Sequence, residues 1–144
     1  MGLILYLKNM KIKEIFLGKK LSAVHYQAGF EIKSGINFHS DKELSLQIGY
    51  MKREKEYQIP PHYHKAKIRK ISNTQEVLFV RKGLVECKIF CLEKNFKEEE
   101  KIILGEGDFL HLIANAHEFK MLEESEIIEI KQGPYLENDD KIFL

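Results

Sequence analysis

Two histidines one residue apart, His62 and His64, open the stretch 60–83, PPHYHKAKIRKISNTQEVLFVRKG, which runs through Glu76 to Gly83. In a strand, residues two apart face the same way, about 6.7 Å apart along the chain. Both imidazoles can then aim at one point, and a carboxylate from a neighbouring strand, Glu76, can complete the set. Two imidazoles and a carboxylate suit a first-row transition metal: iron, manganese, nickel, copper or zinc. A further imidazole follows at His117, in GEGDFLHLIANAHEF. The plainer alternative is a solvent-facing HxH at a strand start. Glu76 and His117 downstream favour a metal centre of His62, His64, Glu76 and His117, with one or two coordination positions open for chemistry.

These residues need strands to position them. From Ile12 to Phe38, short mixed stretches broken by Gly18, Gly29 and Gly35 suit strands joined by turns. Leu44 to Tyr50 alternates as a half-buried strand, and Gln47 on it is a candidate inward-pointing substrate contact. Glu76, Leu78 and Val80 share one strand face, with Val77 and Phe79 on the other. Gly83 makes a turn, and Leu84 to Leu92 returns with Val85, Cys87, Ile89 and Cys91 on a single face, which predicts a hairpin against a core. Ile102–Leu104 is another strand, and residues 105–108 turn into Phe109–Ile113. Phe119 and Met121 fall on the face of His117, and Ile127, Ile128 and Ile130 form a last core strand that Pro134 ends. The tail 142–144 is apolar enough to clip back onto the body. No segment holds a 3.6-residue period, so helices should be few and short. Eight or more short strands with regular turn signals predict an all-β sandwich or barrel of the double-sheet, jelly-roll class.

The chain has 144 residues, long enough for one domain with a real core. Its 44% hydrophobic and 31% charged residues are ordinary for a soluble protein, and a net charge of +1 gives no global reason to bind nucleic acid or an anionic membrane. Cys87 and Cys91, about 13 Å apart on one strand face, are too distant for a disulfide or a shared metal and read as buried thiols, which suits a cytoplasmic protein. No apolar run is long enough to span a membrane, and the start of the chain lacks the pattern of a signal peptide. The basic insert 65–70 places Lys65, Lys67, Arg69 and Lys70 beside the histidine pair, where Lys67 and Arg69 could draw an anionic ligand. A solvated loop is the commoner reading of such a run. Lys131 and Tyr135, in EIKQGPY, could reach a pocket mouth or simply pack on the surface. Tyr63 points away from its histidine neighbours as a packing residue, while His25, His39 and His111 lack a ligand pattern.

The pair of histidines followed by Glu76-VLFVRK-Gly83 resembles the first motif of the cupin superfamily, and Gly107-Asp108 leading to His117 is similar to the second. Residues 60–117 carry both motifs within a chain, 1–144, read as one cupin-like domain with an N-terminal arm, 1–11. Eleven residues separate His64 from Glu76, more than the family's usual three or four, and the turn before His117 lacks the usual Pro and Gly. TQEVLF and IEIKQGPY also resemble a narrower group of small bacterial cupins encoded beside sugar-nucleotide and surface-polysaccharide genes. The resemblance implies a double-stranded β-helix holding one divalent transition metal. It also implies an isomerase- or epimerase-like reaction on a sugar or other small oxygenated metabolite. A metal-dependent dioxygenase and a non-enzymatic metal- or ligand-binding module are the alternatives. The expected partners are a small-molecule ligand, such as an anionic sugar derivative, and a second copy, paired through Leu3–Leu7, whose apolar side chains would otherwise be exposed.

Overall fold

A computed structural model of the chain describes residues 11–137 and 141–144, so Leu3–Leu7 and the dimer contact expected of it lie outside the described residues. Ten strands follow in order: β1 (Ile12–Leu17), β2 (Lys20–Tyr26), β3 (Gly35–Phe38), β4 (Gly49–Lys52), β5 (Glu76–Lys82), β6 (Val85–Phe90), β7 (Glu99–Leu104), β8 (Phe109–Leu112), β9 (Ala116–Met121) and β10 (Glu126–Lys131). Leu92–Lys94, a single 3-10 turn, is the one helical piece among the described residues. All strand pairs are antiparallel. They form a five-stranded sheet in the order β1-β2-β8-β5-β10, a three-stranded sheet β7-β6-β9, and the ribbon β3-β4. No helix among these residues is long and apolar enough to cross a membrane.

The alternation in the sequence explains why the two larger sheets face each other. Val85, Cys87 and Ile89 of β6 are buried while Glu86, Lys88 and Phe90 are not. Leu78 and Val80 of β5, Leu110 and Leu112 of β8, and Ile15 and Leu17 of β1 meet them from the opposite sheet. Each such apolar side chain removed from water contributes about 1.5–3 kcal/mol. Cys87 and Cys91 sit in this core as free thiols, as their spacing predicts, and burial pushes the Cys87 thiol up to about 12. A second apolar layer covers the other face of the five-stranded sheet, where Val24, Tyr26 and Ile113 pack with Phe30, Leu44, Ile48 and Phe109. At the turn into β8, Asp108 accepts hydrogen bonds from the N–H groups of Ala28 (2.7 Å) and Gly105 (3.0 Å). Its Oδ2 also lies 3.0 Å from His25 Nε2.

The structure departs from the sequence reading in several places. β5 and β6 are not a hairpin: β5 pairs with β8 and β10, whereas β6 pairs with β7 and β9. The turn between them crosses from one sheet to the other, and Gly83 sits there at φ +94°. A Cβ at Gly83 would meet Glu124 O at 2.5 Å and Ser125 Cα at 2.8 Å, so only glycine fits. In the stretch Leu44 to Tyr50 the even-numbered residues are indeed the more buried, but the ladder begins only at Gly49. The last strand buries only Ile127 against the core, and Ile128 and Ile130 face outwards from an edge strand. β7 begins at Glu99, three residues before the strand expected at Ile102–Leu104.

Candidate functional site

β5 and β9 belong to different sheets, and their N-terminal ends meet across the sandwich. Glu76, the first residue of β5, is on the inward phase with Leu78 and Val80 and is only 7% exposed. His117 stands opposite Ile89 in the β6–β9 ladder, which sets its side chain inwards with Phe119. The result is a contact of 3.3 Å between Glu76 Oε2 and His117 Nε2. Lys131 is the register partner of Glu76 on β10, with its Nζ 4.0 Å from Glu76 Oε1, 3.6 Å from Glu129 and 4.7 Å above the Tyr135 ring. The hydrogen bond from His117 holds the Glu76 carboxyl below the usual carboxylate range. Burial opposes it, and the charges of His117, Lys131 and Lys141 add to it. An ionised carboxylate only accepts, so the pairing puts the His117 proton on Nε2 and leaves Nδ1 as the basic nitrogen.

A cavity of about 440 Å³ opens beside this pair. Thr74, Phe90, Asn115 and Glu118 line it with Glu76 and His117, and the tail residues 141–144 close one side, as the apolar tail suggested. Two side chains fix the approach to each partner. Gln75, buried just before Glu76, donates its N–H to Gln132 Oε1 (2.8 Å) and accepts from His111 Nε2 (2.9 Å), while Gln132 Nε2 donates to Ser45 Oγ (2.9 Å). Burial lowers His111 to about 4, so it stays a neutral donor. Asn115, before β9, adopts φ +72°; its Oδ1 accepts from Leu92 N–H (3.1 Å) and its Nδ2 donates to Ser22 Oγ (2.8 Å). An asparagine tolerates this left-handed backbone better than other side chains do. Asn115 and Thr74 were not singled out in the sequence, where only the small residues around Asn115 mark a tight turn.

The structure thus brings Glu76, His117 and Lys131 together, with Tyr135 beside Lys131. It does not bring His62 and His64 to them. Both histidines lie on no strand but in an exposed extended segment, with ring centroids 5.4 Å apart and His62 Nδ1 2.9 Å from Pro60 O. Tyr63 between them is 88% exposed rather than packed. Lys67 and Arg69 share this exposed segment and do not line the cavity. Gln47 is exposed too, on the outward phase, and donates to Asp41 O at 3.3 Å instead of reaching the site. Among the described residues no three His, Cys, Asp or Glu side chains gather as a metal ion needs. The expected four-ligand set therefore does not fit a metal in this arrangement.

Comparison of the chain with family models, with curated proteins and with solved structures finds no match in any of the three.

Proposed function

We propose that the chain is a cupin-type double-stranded β-helix whose Glu76–His117 pair performs acid–base chemistry on a small oxygenated molecule of the sugar class, in an isomerase- or epimerase-like reaction. The observation that carries this is the 3.3 Å contact between a buried carboxylate and an imidazole at the wall of a 440 Å³ cavity. An imidazole changes charge within the physiological range, and a carboxylate on its far nitrogen fixes the tautomer and stabilises the imidazolium. In this role His117 Nδ1 takes the proton from a carbon next to a carbonyl, leaving an enolate with its charge on the carbonyl oxygen. The imidazolium returns it to the opposite face of that carbon in an epimerisation, or to the former carbonyl carbon in an isomerisation, where the adjacent hydroxyl proton passes to the old carbonyl oxygen. Glu76 stays ionised throughout. Phe90 offers an apolar surface, and Thr74 and Asn115 offer polar groups, to a hydroxylated ligand. The basic insert 65–70 lies off the cavity wall, so Lys141 of the tail rather than the insert is the cation that an anionic ligand would meet there.

Incubation in deuterated water with a panel of keto sugars, free and nucleotide-linked, tests the proposal. Wild-type protein should exchange the hydrogen next to the carbonyl, and His117→Gln should do so about 100-fold more slowly or less. No exchange with any compound, or equal exchange by both proteins, overturns it.

The adjacent rings of His62 and His64 favour a second reading, in which the segment carrying them closes on Glu76 and His117 to hold one divalent transition metal. A dioxygenase or a metal-binding module would require the same closure. Elemental analysis of protein purified without chelators should show about one metal per chain, lost in His62→Ala/His64→Ala. Equal metal content in both proteins removes this reading.

A further inference from the structure

From residue 51 to residue 74 every residue is exposed, and from 53 to 75 the chain forms no strand. Connections longer than about 12–15 residues without structure are uncommon in a compact domain and usually serve a function. This one is tied down at its end, where Asn73 Nδ2 donates to Ile113 O at 2.7 Å. Its middle alternates: Ala66 and Ile68 fall on one side, Lys65, Lys67 and Arg69 on the other. Ile68 is 94% exposed. Such a segment has the pattern of a strand and lacks a neighbour to pair with.

The molecule also offers an edge lacking a neighbour. β9 pairs only with β6, so its other side presents a row of free backbone donors and acceptors, among the described residues. The rim around it is acidic: residues 118–131 hold five glutamates against two lysines. Lys88 answers Glu118, Arg81 answers Glu126 and Lys131 answers Glu129, which leaves Glu123 and Glu124 in the turn after β9. The exposed segment carries four cations in the six residues 65–70.

We infer that residues 62–70 dock along the free edge of β9 of a second copy of this chain, adding a strand to its three-stranded sheet. A two-fold dimer makes this contact twice, because each chain holds both the arm and the edge. Docking pairs the edge, covers Ile68, and sets Lys65, Lys67 and Arg69 of the arm against the acidic turn. The inference stands on the arm and the edge alone and does not depend on the acid–base reading of the cavity.

Sedimentation velocity of the full chain should show a dimer at about 0.1 M salt that weakens at about 1 M, as the screening length falls from roughly 10 to 3 Å. The exposed-site variant Lys65→Gln/Lys67→Gln/Arg69→Gln/Lys70→Gln should dimerise at least tenfold more weakly. Circular dichroism should confirm that this variant folds. For the geometry, one preparation of Ile68→Cys is mixed with one of Lys120→Cys, on β9, under mild oxidation; the native cysteines are buried and do not compete. A disulfide-linked pair made of one chain of each is the expected product. A monomer at every concentration overturns the inference, and so does a dimer indifferent to the arm substitutions. Absence of the mixed disulfide, or cross-linking within a single chain that carries both cysteines, overturns it as well.

Discussion

Glu76 and His117 show what a sequence reveals at the scale of single residues. Both lie in alternating runs, so their inward phase follows from neighbours such as Leu78 and Phe119, and the structure places them as that phase requires. His62 and His64 have no such run around them, and their type said nothing of where the segment goes. His111 was legible only as a histidine without a ligand pattern, yet it carries a testable consequence. Its folded value of about 4 lies below the ordinary 6.5, so the unfolded chain takes up a proton first as the pH falls. The stability from keeping it neutral is complete above pH 6.5 and is lost as the pH drops towards 4, at a cost of ~3 kcal/mol. Glu76, held below its usual range, acts in the same direction at lower pH. Urea denaturation from pH 7 to 4 should therefore show a steeper loss for wild type than for His111→Gln, which can still donate to Gln75. Parallel profiles would show that His111 does not carry the effect.

At the scale of elements, strands were easier to find than their partners. β6 was legible from Val85, Cys87 and Ile89, and β5 from Glu76, Leu78 and Val80, whereas β2 and β8 are buried on both faces and carry no such alternation. The partner of β5 was not legible. Gly83 announces a turn, but a turn between adjacent strands reads the same whether the chain pairs back or crosses to the other sheet. The crossing makes Gly83 a sensitive position: Gly83→Ala has to displace the backbone of residues 124–125 as well as hold a strained φ. It should cost about 2–4 kcal/mol in chemical denaturation. A loss below 0.5 kcal/mol would mean that the turn yields easily. Asn115 separates two effects at the entry to β9. Asn115→Gly keeps the backbone permissive but loses both side-chain hydrogen bonds, for about 1–3 kcal/mol. Asn115→Ala should lose about 1 kcal/mol more, since alanine resists the left-handed conformation. Equal stabilities for the two variants would remove the backbone part of the argument.

At the scale of the whole molecule, the all-β class and two facing sheets were legible because nearly every strand carries its own turn signals. The basic insert 65–70 was legible as a solvated loop, and it is exposed; what the sequence did not show is that the strandless stretch runs all the way from 53 to 75. Trypsin at monomeric dilution should cut first between Lys52 and Lys70, leaving the sandwich intact; first cleavage within β5 to β10 would contradict this arrangement. The strand order of the larger sheet has a consequence for the history of the chain as well as its final shape. β2 and β5 both pair with β8, which begins at Phe109, and β5 also waits for β10. A ribosome that has released the chain as far as Asp108 has made β5 but none of its sheet neighbours. The central sheet therefore closes late and through contacts distant in sequence, which makes folding slow and leaves Val77, Leu78 and Val80 open to wrong partners in the meantime. Chaperone engagement during synthesis is the natural companion of such an order.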